Sequence, residues 1–337
     1  MSHFVKWEAP FYTGFGGDTS VEIFFLVSGF YIALILENSY KSIRNFYFNR
    51  FLRLYPTYFV VCFFILLVAL IRAGFRENLF SFPALPLSLA SFSNLTLIGT
   101  DWLMFFDTSN GSIHLTGPVL DGVRMRDLLW VAPAWSLGIE ITFYALAPKI
   151  CKLRSSTLIA LGATSVIARI FSFQLGLNYS PWDTRFFPFE LSFFLLGILI
   201  FRAKRYFASR PKISTLYLYP LLIVSFVLFE FIRDSLSMSR LGVMTILIAI
   251  AIGVILFGED NPIDRKIGDL SYPIYICHVF VGQLYGFGET GARERIPLLE
   301  NNHFSISIQI VLVVITSIAL LRLVRPVEKL RDKVRAG

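Results

Sequence analysis

Charged side chains are scarce in this chain. Asp, Glu, Lys and Arg make up 16% of its 337 residues, against roughly 25% in an ordinary soluble domain, which argues against a soluble globule. Cysteine is scarcer still: Cys62, Cys151 and Cys277 share no close spacing, so neither a disulfide framework nor a metal knuckle can be built on them. No zinc-helix or glycine-rich phosphate motif occurs, and no metal site is expected. The chain also lacks an internal repeat of the kind that marks many transporters. Its first 18 residues have neither the basic n-region nor the apolar h-region of a signal peptide. Apolar surface is abundant instead, with 55% hydrophobic residues and a mean hydropathy of +0.65. In a soluble chain a net charge of +8 would suggest nucleic acid. In so apolar a chain it records topology, because Lys and Arg concentrate in cytoplasmic loops, and no nucleic-acid partner is expected.

Apolar runs close to the roughly 20 residues that a helix needs to cross a bilayer are readable at about 19–37, 54–74, 133–150, 156–176, 186–202, 214–232, 241–258, 268–287 and 305–323. The sequence predicts an all-α, polytopic transmembrane helix bundle of about nine spans, with the chain's two ends on opposite faces. One alternate set of loops carries twenty Lys and Arg residues, including Lys41, Arg44, Lys149, Lys152, Lys204 and Arg205; the other set carries ten, spread over longer connections. The richer set is cytoplasmic by the positive-inside rule, which puts the N-terminus outside and the C-terminus in the cytoplasm.

Three regions follow. Residues 1–18 form an external N-terminal segment, residues 19–324 the membrane domain, and residues 325–337 a basic cytoplasmic tail. Within the membrane domain, residues 75–132 are neither polar nor a clean span, since Pro83, Pro86, Ser88, Ser91, Ser93 and Asn94 interrupt the apolar stretch. That segment reads as external, interfacial or re-entrant. An external start without an export signal predicts a further span upstream of Met1.

Ionisable residues at membrane depth are costly, so each is a functional candidate. Glu140 and Arg169 both fall about 10 Å from the outer ends of their spans at 1.5 Å per residue, which places them to pair, either as an ion pair fixing helix register or as the wall of a polar cavity. Glu22 and Glu190 lie nearer the outer helix ends, and Glu190 reads as a solvated helix-end acid. His278 falls mid-span after Tyr272 and Tyr275; a hydrogen-bonded packing role and a catalytic one both stand. Arg50 and Arg53, three apart, share a helix face at the cytoplasmic surface. They suit either bidentate phosphate binding or ordinary anchoring beside headgroups.

GDTSVEIFFLVSGFYI, RFLRLYP, PAWSLGIEITFYALAP and IGDLSYPIYICHVF, in that order, together resemble the acyltransferase 3 family of membrane-bound O-acyltransferases, which modify bacterial surface and secreted glycans. GDTSVEIFFLVSGFYI (Gly17 to Ile32) is similar to the family's second helix, with Glu22 and Ser28 at its acid and serine. RFLRLYP (Arg50 to Pro56) resembles the RxxR element. PAWSLGIEITFYALAP (Pro133 to Pro148) resembles the Trp-Ser-Leu, Glu, Phe-Tyr, Pro pattern, and IGDLSYPIYICHVF (Ile267 to Phe280) the Ser-Tyr, Tyr, His pattern. RPVEKLR near the tail looks like the closing element. Order and spacing over some 260 residues make the combination specific. The family has ten helices, the first ending at an outer-face histidine; His3 falls where that histidine would be, and the remainder of that helix would precede Met1.

The resemblance implies an acyl-CoA donor, acetyl-CoA by family habit, in the cytoplasm and a carbohydrate acceptor such as O-antigen or exopolysaccharide outside. It places the chain in the bacterial cytoplasmic membrane as a multi-pass protein among membrane lipids, with no tightly bound cofactor. Catalytic roles fall to His3, as general base or transient acyl carrier, and to Glu140, orienting it or the sugar. Arg50 and Arg53 would hold the donor's phosphates, Tyr272 and His278 would line the inner half of the path, and Trp135 would face a pyranose ring. Ser136 and Arg169 are further polar positions, for substrate or for structure. Two rivals remain open: a transporter or flippase of a lipid-linked saccharide, and an inactive truncated member acting as a scaffold. Oligomeric state is not legible.

Overall fold

The computed structural model describes residues 16–38, 42–71, 83–109, 112–117, 123–206, 252–253, 255, 262–292 and 302–336. Eight α-helices are named among them: α1 (Gly16–Asn38), α2 (Ile43–Ile71), α3 (Ala84–Thr96), α4 (Ala134–Ile150), α5 (Ser155–Gln174), α6 (Phe187–Tyr206), α7 (Pro262–Ala292) and α8 (Asn302–Ala336). Among the described residues, four segments, Thr19–Glu37, Ile43–Ile71, Ser155–Gln174 and Ser307–Val334, are long and apolar enough to cross a membrane. The runs expected at 214–232 and 241–258 lie outside the described residues, apart from 252, 253 and 255.

Two helices outrun their apolar segments. α2 begins at Ile43, so the basic turn read as preceding it forms its first three turns. α8 continues past Pro326 to Ala336 and makes the tail helical. Arg, Lys and Glu are good helix formers, and the basic extensions lengthen both helices beyond the apolar stretch that sequence alone delimits. Prolines at 56, 148, 273 and 326 sit inside helices. Packed membrane helices tolerate this because neighbouring groups satisfy the freed backbone.

α1 packs on α6, α5 on α6, and α8 on both α2 and α7. Phe25, Phe46, Tyr58, Phe143 and Phe194 are fully buried between them, whereas Phe63, Ile71, Ile167 and Ile315 stand exposed on the outside. That inversion suits a surface met by lipid tails, which are as apolar as the side chains themselves.

The segment between α2 and α4 caps one end of the bundle. α3 has 13 residues, about 20 Å at 1.5 Å per residue, against a hydrocarbon layer of about 30 Å. Asn94, which breaks the apolar run in the sequence, ties the cap together. It is fully buried, its amide donates to the carbonyls of Ala90 and Leu128, its side-chain oxygen accepts from the Trp130 N–H, and its carbonyl accepts from the Tyr58 hydroxyl on α2 at 2.9 Å. Beyond it lies a small antiparallel sheet in the order β2-β1-β3, from β1 (Phe106–Ser109), β2 (Ser112–Leu115) and β3 (Val123–Arg124), with Thr108 opposite Ile113 on one side and Val123 on the other. The opposite end of the bundle is basic: Arg202 of α6 holds the Cys151 and Leu153 carbonyls after α4, and Arg205 pairs with Glu37 of α1.

Candidate active site in the bundle core

Ser136, Glu140 and Tyr144 recur every four residues along α4 and so lie on one face of it; all three are buried. Glu140 Oε1 accepts from the Ser28 hydroxyl of α1 at 3.2 Å and from the Tyr144 hydroxyl. Its Oε2 has no hydrogen-bond partner among the described residues. Arg53 and Arg50 of α2 lie within electrostatic reach of Glu140. Arg50 is only 7% exposed; its guanidinium lies 5.7 Å from the Tyr144 ring and 5.8 Å from that of Phe46, and it donates to Asn49 Oδ1 at 3.0 Å. Its Nε finds no partner among the described residues. From α7, Tyr272 donates to the Leu54 carbonyl at 2.7 Å and lies within reach of Glu140, Tyr144 and Arg53. One turn toward the sheet end, Tyr275 is 2.6 Å from the Ser136 hydroxyl and stacks on Phe24, with ring centroids 5.9 Å apart. A polar stripe therefore leads from the arginines, past Glu140, to Ser136.

Arg169 belongs to a different cluster. Its Nη2 donates to Glu22 Oε1 and to the Asp183 carbonyl, both at 2.7 Å, and its Nη1 stands 3.8 Å from Glu190 Oε1. The expected pairing with Glu140 does not form, because α5 packs on α6 and presents Arg169 to the α1–α6 seam rather than to α4. Glu22 and Glu190, expected near water, are 1% and 0% exposed, enclosed in that seam where one guanidinium serves both.

The remaining candidates are scattered. Trp135 is buried with the Arg185 guanidinium 4.9 Å from its ring, so the face expected to receive a sugar carries a cation. His278 lies beyond Tyr275 toward the sheet end and is exposed, with Nδ1 2.7 Å from the Tyr275 carbonyl. It stands apart from the inner path where Tyr272 lies. His3 lies outside the described residues.

Sequence reading missed several members of the site. Tyr144 was signalled by the four-residue rhythm that it continues from Ser136, which was among the expected positions, and Glu140; in the sequence Tyr275 stands only as a neighbour of His278, and Asn49 carried no signal. Asp101, in the turn after α3, was also missed. It is 3% exposed and packs on Gly138 of α4, where an added Cβ would fall 2.6 Å from its Oδ1 and from Thr100 Oγ1. Thr100 donates to the Ala134 carbonyl at 2.8 Å, so this turn seats the first turn of α4 and with it Ser136. Burial pushes the Asp101 carboxyl up from about 3.8 to about 6, since Oδ1 has no partner among the described residues. The folded state therefore holds this proton more tightly than the unfolded chain. Stability falls as pH rises through the interval from about 4 to about 6 and is level above it, by on the order of 3 kcal/mol. Asp101→Asn is expected to remove that slope and raise the melting temperature at pH 7, measured in detergent at pH 4.5 and pH 7. An unchanged pH dependence would assign the slope to another group.

A family model described as an acyltransferase domain matches residues 2–322. Comparison with curated proteins gives no match, and comparison with solved structures gives none.

Proposed function

Because the chain belongs to the acyltransferase 3 family, we propose that this membrane acyltransferase moves an acyl group, acetyl in the simplest case, from cytoplasmic acyl-CoA to a hydroxyl of an extracytoplasmic carbohydrate. The observation that carries the reading is the polar stripe between α2 and α4, which begins at two arginines of α2 near the basic end and continues along α4 through Glu140 to Ser136 near the sheet end. The positive-inside rule makes the basic end cytoplasmic. Phosphates entering there meet Arg50 and Arg53 in charge-assisted hydrogen bonds, and the pantetheine arm is long enough to follow the stripe inward. Tyr272, Tyr144 and Ser28 supply hydroxyls along it. A partly unspent Glu140, with Oε2 unpartnered among the described residues, accepts a hydrogen bond from a substrate or a histidine N–H. In the transfer itself the acyl C–S bond breaks and a C–O bond to the acceptor forms; the acceptor hydroxyl gives its proton to His3, and the coenzyme leaves as the thiol after taking up a proton. An imidazole suits that role because its ordinary pKa lies near neutrality.

Inside-out vesicles supplied with acyl-labelled CoA test the reading. Label is expected on lumenal carbohydrate, and His3→Ala is expected to lower its rate by about 100-fold or more. Unlabelled saccharide crossing the bilayer without acyl transfer would replace the enzyme with a carrier; transfer at full rate by the His3 variant would remove the general base from the scheme.

A further inference from the structure

The carboxyl-terminal end of α8 is fitted against the arginine end of the site. The buried Asn49 amide donates to the Arg331 carbonyl at 2.9 Å, while Asn49 Oδ1 accepts from Arg50 Nη2. One side chain thus fixes the register of α8 against α2 and orients the Arg50 guanidinium. Val324, Val327, Glu328, Arg331 and Val334 fall on one helical face, three or four residues apart, and are buried or half-buried, whereas Lys329, Leu330, Asp332 and Lys333 between them are exposed. Arg331 therefore faces inward with Glu328, against α2, while Lys329, Asp332 and Lys333 face outward.

The charges around Arg331 include both Arg53 and Arg50, together with Glu328 and Asp332 of its own helix. Three guanidiniums gathered at one mouth repel one another, and the half-buried setting weakens the screening that would relieve them. Glu140 answers Arg50 and Arg53 from deeper in the bundle. Arg50 keeps a buried Nε without a partner among the described residues. Glu140, Asp269, Glu328 and Asp332 offset part of that repulsion, and a ligand carrying more than one phosphate suits the donors that remain.

Resting on the donor assignment above, we infer that Arg331 joins Arg50 and Arg53 in a three-arginine site that reads the ribose 3′-phosphate of coenzyme A. Arg53 lies deeper, toward Glu140 and Tyr272, which suits the diphosphate at the head of the pantetheine arm. Arg331 is pinned at the level of Asn49, about one turn nearer the basic end of α2, which suits a phosphate on the nucleotide beyond it. A guanidinium recognises that group through charge-assisted, bidentate contacts, and a lysine would supply charge without the fork.

The purified full chain in lipid nanodiscs, titrated with coenzyme A and with 3′-dephospho-coenzyme A, tests this. Wild type is expected to bind coenzyme A about tenfold more tightly than the dephospho form. Arg331→Gln is expected to erase that preference by raising KM for acyl-CoA, with KM for acyl-dephospho-CoA and kcat at saturating donor unchanged; Arg331→Lys should keep part of it. Wild type with equal affinity for the two ligands overturns the inference whether or not the variant folds. So does a Gln variant that loses affinity equally for both, since that is the signature of a packing residue. Wild type that binds neither ligand and transfers no acyl group would instead fail at the donor assignment itself.

Discussion

Arg53→Ala is expected to lower kcat/KM for the acyl donor by about 100-fold or more, the scale seen when one fixed charge is removed from a site that stabilises developing or transferred charge. Arg53 lies within electrostatic reach of Glu140, so the substitution also leaves a carboxylate, 1% exposed, short of compensation. A buried carboxylate that loses a nearby cation is destabilising. The two effects separate in a double variant. Arg53→Met combined with Glu140→Gln removes both charges, and buried charges replaced by neutral groups of similar volume often leave the fold as stable as before. The double variant is thus expected to recover most of the melting temperature lost by Arg53→Met alone, with no recovery of label transfer from acyl-CoA. Were the arginine and the acid there only to hold α2 against α4, transfer would return with stability. That result, read by melting in detergent beside transfer in vesicles, would end the phosphate-clamp role of Arg53.

How much of this was legible in the sequence differs between helices and pairings. The apolar runs mark α1, α2, α5 and α8 well because each carries a window long and apolar enough to cross a membrane. Their ends were harder, since the basic residues that close a hydropathy window are themselves good helix formers and extend α2 backward to Ile43 and α8 onward to Ala336. Depth alone suggested that Glu140 would meet Arg169. Depth gives the height of a residue in the membrane and leaves its azimuth open, and azimuth is set by which helices pack. α5 rests on α6, so Arg169 goes to Glu22 and Glu190, while Glu140 turns to Ser28, Tyr144 and the arginines of α2. The same argument explains Asn49. Nothing in its sequence context signals a bond to a carbonyl 282 positions away. The four-residue rhythm of Ser136, Glu140 and Tyr144, by contrast, was readable on α4 without any neighbour.

Gly29→Ala and Gly197→Ala are each expected to prevent recovery of a folded, monodisperse protein. A Cβ on Gly29 would sit 2.1 Å from the Phe194 carbonyl oxygen, and one on Gly197 would sit 2.1 Å from that of Leu26 and 2.6 Å from the Phe30 N–H nitrogen. The obstructing atoms are backbone, so no rotamer change relieves the clash; α1 and α6 must separate by about 1 Å to restore ordinary contact. Small residues permit this kind of close crossing between membrane helices, where packing itself drives association. Separation would also loosen the Phe25–Phe194 and Phe143–Phe194 stacks, at 4.8 and 4.1 Å between centroids, and the Glu22–Arg169–Glu190 seam above them. Overpacking a core costs about 1–3 kcal/mol where side chains can adjust; two rigid backbones put this crossing at or beyond the top of that range. The double variant should be little worse than either single one, because the first methyl already forces the helices apart. Gly162→Ala on α5 is the internal control: among the described residues its Cβ would meet only Leu195 Cδ1, at 4.0 Å, so better helix propensity should raise stability by up to about 1 kcal/mol. Since Ser28, the neighbour of Gly29, donates to Glu140, any folded Gly29→Ala protein should also lose transfer. A Gly29→Ala protein that melts and transfers like wild type would mean that the crossing is looser than these distances require.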